Sequence, residues 1–325
     1  MKTNINIRTV MTVVFFLMSS YVAMALDPVM YLDKDGKQQW CTNYKIITGE
    51  ESVLTRGWYV VSGDVLCNYK SCHSGLIEVR GNVHIILMDN SAFKYENSYG
   101  FVESEEEDVF FNYATLNLYS QSYGDNMGKI VMNMGNRYAF GTYNMNIFGG
   151  DIDITDTGGD CAFHCHELTI WNGKINIHQK QSISTNFLNL YGGEIHCDKS
   201  LRVHAGLKFG QSKSGLILDI GGCINLNDMF NFSGDAVIED GVTVEVFGKT
   251  YTEKIPASDM KSRDIWSRDK TAILSAKTYD AVSVGDVFCT ESKTSGWYTL
   301  NGIRLNDKPT SAGIYIHDGR KVIVK

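Results

Sequence analysis

The chain has 325 residues, 43% of them hydrophobic and 21% charged, with 30 Lys and Arg against 37 Asp and Glu. The resulting net charge of −7 leaves no basic footprint for nucleic acid or an anionic membrane surface. Only 3 prolines exclude a proline-rich linker, and the length suits one large all-β domain or two ordinary ones.

Residues 1–25 read as a signal peptide. Lys2 and Arg8 supply positive charge, Val10 to Met18 an apolar core, and Ala23-Met24-Ala25 small residues at the cleavage positions. The apolar run is too short to anchor in a bilayer, and no later stretch is longer, so secretion without a membrane span is expected. Cys41 is the first cysteine, too far along to carry a lipid at the cleavage point.

Residues 26–56 are expected to cap the open end of a solenoid that runs over 57–248. Its opening strand is Gly57-Trp58-Tyr59-Val60-Val61, and Val61-Ser62-Gly63-Asp64-Val65 matches Val79-Arg80-Gly81-Asn82-Val83. The strongest repeat follows. Leu116 to Tyr119, Met145 to Ile154, Leu168 to Ile177 and Leu188 to Cys197 align in columns, the last three as two alternating runs broken by glycine. A period near twenty residues of this kind is one coil of a β-solenoid. The expected inward stacks are Ile152, Ile175 and Ile195, and Ile147, Ile170 and Leu190. Cys197 falls in the column of Ile154 and Ile177 and reads as a small buried hydrophobe.

Two interruptions read as loops thrown out from a coil, where insertions cost little. One lies between Ser91 and Tyr113 and contains Glu103-Ser104-Glu105-Glu106-Glu107-Asp108; the other is Gln121 to Gly128. Coils are expected to continue through Leu216 to Leu226 and to end with Val242 to Phe247. Residues 249–294 form a polar connecting and capping segment. Residues 295–325 form a small β-hairpin module, in which Asn301-Gly302 and Asp318-Gly319 are two-residue turn signals between alternating apolar residues.

The run Tyr31-Leu32-Asp33-Lys34-Asp35-Gly36, the stretch Gly57 to Gly63 and the Gly-Gly-x-Ile repeats resemble secreted right-handed parallel β-helix proteins of Bacteroidetes. The closing Trp297 to Gly302, Gly313 to Ile316 and Gly319 to Val322 are similar to a short C-terminal segment common on exported proteins of that phylum. The resemblance implies a pectin-lyase-like solenoid linked with glycan binding or adhesion, and contact with export machinery through the C-terminal segment.

Strand parity sends Tyr119, Phe148, Trp171 and Tyr191 into one external column, beside Asn117, Asn146, Thr169 and Asn189. Aromatic faces with amides alongside suit a polysaccharide, so Tyr119, Phe148, Trp171, Tyr191, Asn117, Asn146 and Asn189 form the expected glycan-binding set. The alternative is a stacked ladder covered by another segment. The Cys161-Ala162-Phe163-His164-Cys165-His166 run has zinc-type ligands, but alternation splits them between two faces, and no metal is assigned. Glu103 to Asp108 offers oxygens suited to calcium without the glycine or spacing of a calcium loop. Asp151, Asp153, Asp156 and Asp160 are the acidic cluster of the regular coils; Asp153 is expected to stack on Asn176 and His196 with no second carboxylate in its column. Polygalacturonase-type signatures are absent, and only Arg137 and Arg202 stand in the central coils as lyase-type bases, so no catalytic residue is assigned. Cys67 with Cys72, and Cys161 with Cys165, are close enough to pair across a turn. The expected role is non-catalytic binding of a polysaccharide or cell-surface glycan, outside the cell or in the periplasm. The rival is a lyase or hydrolase acting on an acidic or plant-type polysaccharide.

Overall fold

Parallel strands that alternate between two sheets make up most of the chain. The computed structural model describes residues 27–67, 77–98, 100–103, 113–134, 138–156, 161–178, 183–199, 201–211, 215–220, 224–226, 234–246, 249–261, 272–278, 297–299, 304–305, 309, 313–317 and 320–324. The first sheet stacks, in chain order, Asp64–Cys67, Ala92–Ser98, Lys129–Met134, Asp151–Asp156, Lys174–His178, Gly193–Cys197 and Leu216–Ile220, all parallel. The second stacks Val53–Val61, Ile77–Leu87, Thr115–Ser120, Asn144–Ile147, Phe163–Ile170, Ile183–Leu190 and Leu201–Phe209, also parallel. Two short strands, Phe101–Glu103 and Phe140–Gly141, pair with each other and with the first halves of Ile77–Leu87 and Phe163–Ile170. Those two long strands pair with Thr115–Ser120 and Asn144–Ile147 through their second halves, which closes a ring of six parallel strands.

The expected inward stacks hold. Ile152 pairs with Ile175 and Ile175 with Ile195, while Ile147 pairs with Ile170 and Ile170 with Leu190. All six are buried, as is Cys197 beneath Ile177. Toward the closed ring the same stacking uses aromatics: Phe140 lies 5.6 Å from Phe101 and 5.1 Å from Phe163 between ring centres. Each inward residue rests on its counterpart one rung away, so the core is a set of columns that exclude water along their length.

Glycine occupies the turn into the first sheet because rung stacking leaves no room for a side chain. Gly150, Gly173 and Gly193 have φ of 113°, 115° and 95°. A Cβ on Gly173 would lie 2.8 Å from the Gly150 carbonyl oxygen, and one on Gly193 2.7 Å from that of Gly173.

Three expectations are corrected. Val79 pairs with Leu54 rather than matching Val61, because Ile77–Leu87 runs on through a bulge opposite Arg56 while the earlier coil turns at Gly63. Val242–Val246 is not a further parallel coil; it pairs antiparallel with Lys249–Tyr251 and with Ala272–Thr278. Ala272–Thr278 also pairs antiparallel with Leu216–Ile220, so part of the polar segment closes the end of the first sheet. Cys165 is a free thiol buried on the inner side, so the expected pairing of Cys161 with Cys165 is absent; Cys161 and Cys67 are buried too, and Cys72, the expected partner of Cys67, lies outside the described residues. Among the described residues no helix is long and apolar enough to cross a membrane.

Residues 280–325 form a separate compact unit. Its four antiparallel strands are Trp297–Thr299, Arg304–Leu305, Gly313–His317 and Arg320–Val324. His317 pairs with Arg320 and Tyr298 with Arg304; the expected turns at Asp318-Gly319 and Asn301-Gly302 lie outside the described residues.

Gly193→Ala tests the glycine column. Left-handed backbone strain and the carbonyl contact together are expected to cost about 1–3 kcal/mol, read as a lower melting midpoint. An unchanged midpoint would mean that the rungs are not packed as closely as described.

Candidate functional site

The expected glycan platform is a pair of ladders whose contacts are spent largely on each other. Tyr119 and Phe148 stack at 4.6 Å and 6°, and Trp171 and Tyr191 at 3.9 Å and 10°; Phe148 and Trp171 are parallel at 6.3 Å. Rings stacked along the column turn their edges outward and cover their faces, and sugar stacking needs a face. Both ends are closed as well. A tilted hairpin of Val29–Leu32 and Gln38–Cys41 lays Tyr31 edge-on against Tyr119 at 4.9 Å. Gly210 lies under Tyr191, where any Cβ would come within 2.1 Å of the ring.

The hairpin buries Tyr119 to 7% exposure. Burial pushes its hydroxyl well above the usual tyrosine range, and that hydroxyl meets His84 Nδ1 at 3.1 Å. Lys34 reaches over Trp171 with its ammonium 5.3 Å from the ring centre. The amides form a parallel ladder: Asn146 Nδ2 donates to Asn117 Oδ1 (3.0 Å), Asn117 Nδ2 to Asn82 Oδ1 (2.7 Å), and Asn189 Nδ2 to Glu167 Oε1 (2.8 Å). Asn117 is buried. Tyr119 and Asn117 are thus withdrawn from the surface, and Phe148, Trp171, Tyr191, Asn146 and Asn189 contribute edges and partly used amides.

A different concavity opens at the bend of the second sheet. It has a volume of about 500 Å³ and is lined by three histidines, two tyrosines, Ser184, Thr185 and Glu103 among others. His164 stacks on Tyr138 at 4.4 Å and His166 on Tyr143 at 4.3 Å, so two imidazole–phenol pairs frame the cleft. As expected from alternation, Phe163 and Cys165 point inward. Burial pushes the Cys165 thiol up to about 11, which leaves it an unreactive neutral group. Glu103 stands at the far side and accepts a hydrogen bond from the Ala114 N–H at 2.9 Å.

His204 enters this cleft through a β-bulge. Thr185 pairs with Val203 but Phe187 with Gly206, so Asn186 faces two residues, His204 and Ala205. A bulge re-aims the side chain beside it, and His204 Nε2 comes to 3.2 Å from Ser184 Oγ. Burial, then Arg202 and His164, hold the His204 imidazole below the ordinary histidine range, so it is neutral at neutral pH. The Nδ1 atoms of His166 and His204 are buried without a partner, an unusual cost for polar atoms beside an open cleft.

Two other polar arrays carry ionisable groups. On the first sheet Asp153, Asn176 and His196 form the expected column, but Asp219 joins it, with Oδ2 3.3 Å from His196 Nδ1. Asp198 meets His178 Nδ1 at 3.2 Å. A second cleft, of about 680 Å³, lies beside the Tyr123–Met127 loop over the alternating Lys129, Asp151, Lys174 and Glu194; Lys129 and Asp151 pair at 3.1 Å. Among the described residues no three His, Cys, Asp or Glu side chains are grouped to hold a metal ion. Arg137, Asp160 and residues 104–108 of the acidic run lie outside the described residues, and Arg202 is exposed one rung beyond Ser184.

Compared with protein-family models, curated proteins and solved structures, the chain finds no match. Its chemistry therefore rests on its own residues.

Trp171→Ala is expected to lower stability by about 1–3 kcal/mol, through its two ring neighbours, in a thermal or denaturant melt. An unaltered melt with loss of glycan affinity would instead restore the ladder as a binding surface.

Proposed function

We propose that this is an exported, non-catalytic glycan-binding protein and that the histidine–tyrosine cleft of the second sheet, not the outer ladder, receives the sugar. The observation that carries this reading is the framing of a concave polar cleft by His164–Tyr138 and His166–Tyr143. Ring edges and hydroxyls there offer hydrogen-bond donors and acceptors around a space large enough for a short oligosaccharide. The signal-peptide pattern of residues 1–25 and the resemblance to surface β-helix proteins of Bacteroidetes support export and an adhesive role. The same reading takes the coils as a right-handed β-helix, since crossovers between parallel strands are right-handed in about 98% of cases.

The rival enzymatic reading has less support. Ser184 and His204 are at hydrogen-bonding distance, but Ser184 is buried to 7% exposure and His204 Nδ1 has no carboxylate to orient it. The carboxylates Asp198 and Asp219 are each engaged with a histidine.

A glycan array probed with the full chain, with a reducing-sugar assay on every hit, tests both. Tyr143→Ala is expected to weaken binding of a hit about tenfold, on the scale of one lost aromatic and hydrogen-bonding contact, with no sugar released. Unchanged binding by Tyr143→Ala would remove the cleft as the site, and steady release of reducing ends would replace binding with catalysis.

A further inference from the structure

Much of the hydrogen-bond donor capacity of the histidine–tyrosine cleft is already spent inside the protein. The Thr142 hydroxyl donates to the Asn144 carbonyl at 3.1 Å, and that of Thr185 to the Phe187 and His166 carbonyls at 3.0 and 3.3 Å. A hydroxyl has one proton, so neither threonine has one left for a ligand. Ser184 and His204 share a hydrogen bond at 3.2 Å, and the Tyr143 and Tyr113 hydroxyls share another. Glu103 is an acceptor only. One of its oxygens takes the Ala114 N–H at 2.9 Å, and the other has no partner among the described residues. Among those residues no lysine or arginine lines the cleft, so the Glu103 charge is not neutralised there. We propose that the sugar received by this cleft carries a free amine, and that its ammonium is held at the end formed by Glu103 and Tyr143.

An ammonium brings three donors and one positive charge, the complement of an unpaired carboxylate oxygen and of hydroxyl lone pairs. Hydrogen bonds between charged partners are about twice as strong as neutral ones. The two ends of the cleft differ in what they favour. Beyond Ser184 the next residue of the column is Arg202, which lies outside the lining and whose charge opposes a second cation nearby. At the other end desolvation, then Tyr113 and the carboxylates Glu103 and Glu167, keep the Tyr143 hydroxyl protonated. Both carboxylates therefore act where the Tyr143 oxygen stands. Acetylation of the amine would leave a neutral amide with a single N–H, which separates charge from shape. The inference rests on the glycan-binding reading and names the ligand class of that same cleft.

Isothermal titration of the full chain at constant ionic strength, slightly below neutral pH where a sugar amine is protonated, separates the possibilities. The probes are a glucosamine oligosaccharide, its N-acetylated form, the glucose oligosaccharide of the same linkage, and spermidine as an amine without a sugar. The free amine is expected to bind about tenfold tighter than either other sugar, on the scale of one charge-assisted hydrogen bond. Glu103→Gln, which keeps an oxygen for the Ala114 N–H, is expected to bring the three sugars to nearly equal affinity with an unchanged melt. Tyr143→Phe, which keeps the ring stack, is expected to lose part of the preference and serves if Glu103→Gln lowers the melt. Equal affinity of the wild type for all three sugars would overturn the amine inference and leave glycan binding standing. A preference that survives Glu103→Gln would trace to the net charge of −7 rather than to the cleft and would overturn it as well. Binding of spermidine alone, lost in Glu103→Gln, would keep the cation site and overturn the glycan reading. No binding by any probe would overturn the amine inference, and the glycan array then decides the glycan reading by itself.

Discussion

The rung spacing of parallel strands, about 4.8 Å, is the constraint on which the rest of the molecule depends. In-register parallel pairing sets each residue on its counterpart one coil away. A column must therefore be filled by side chains that tolerate close repetition of their own kind. Aliphatic residues do so by dispersion and exclusion of water, aromatics by offset stacking and amides by chained hydrogen bonds. At the corners only glycine does, because the next carbonyl already occupies the place of a Cβ.

Columns of like residues look, in a linear sequence, much like a repeated binding motif. The outer aromatic and amide ladders show why they need not be one. Stacking Trp171 on Tyr191 at 3.9 Å uses the faces that a sugar would need, and chaining Asn146 to Asn117 to Asn82 uses amide valences in the same way. What repetition cannot supply is concavity. The cleft arises where the second sheet bends and repetition is broken, by the short strands Phe101–Glu103 and Phe140–Gly141 and by the bulge at His204.

The inward stacks were legible because burial imposes a strict period of two, and Ile152, Ile175 and Ile195 kept it. Outward placement of His164 and His166 followed from the same parity. His204 has the outward parity of Arg202, but its approach to Ser184 depends on the bulge that sets Asn186 opposite two residues, which alternation alone does not encode. Tyr143 and Tyr138 were missed because they precede short strands in irregular stretches, outside the aligned repeats. The cap on the ladder was equally hidden: contact between Tyr31 and Tyr119 depends on how the N-terminal hairpin folds back, which no local pattern encodes. Capping by residues 249–294 was expected from their place after the last coil, whereas the antiparallel strand Ala272–Thr278 that closes the sheet was not.

Hydrogen–deuterium exchange of the full chain, with and without a glycan that it binds, tests most directly whether function resides in the break rather than in the repeat. Slowed exchange confined to peptides covering Tyr138–Tyr143, His164–His166, Ser184–Asn186 and Val203–His204 is the predicted result. Protection centred instead on Phe148, Trp171 and Tyr191, with the cleft peptides unchanged, would contradict it.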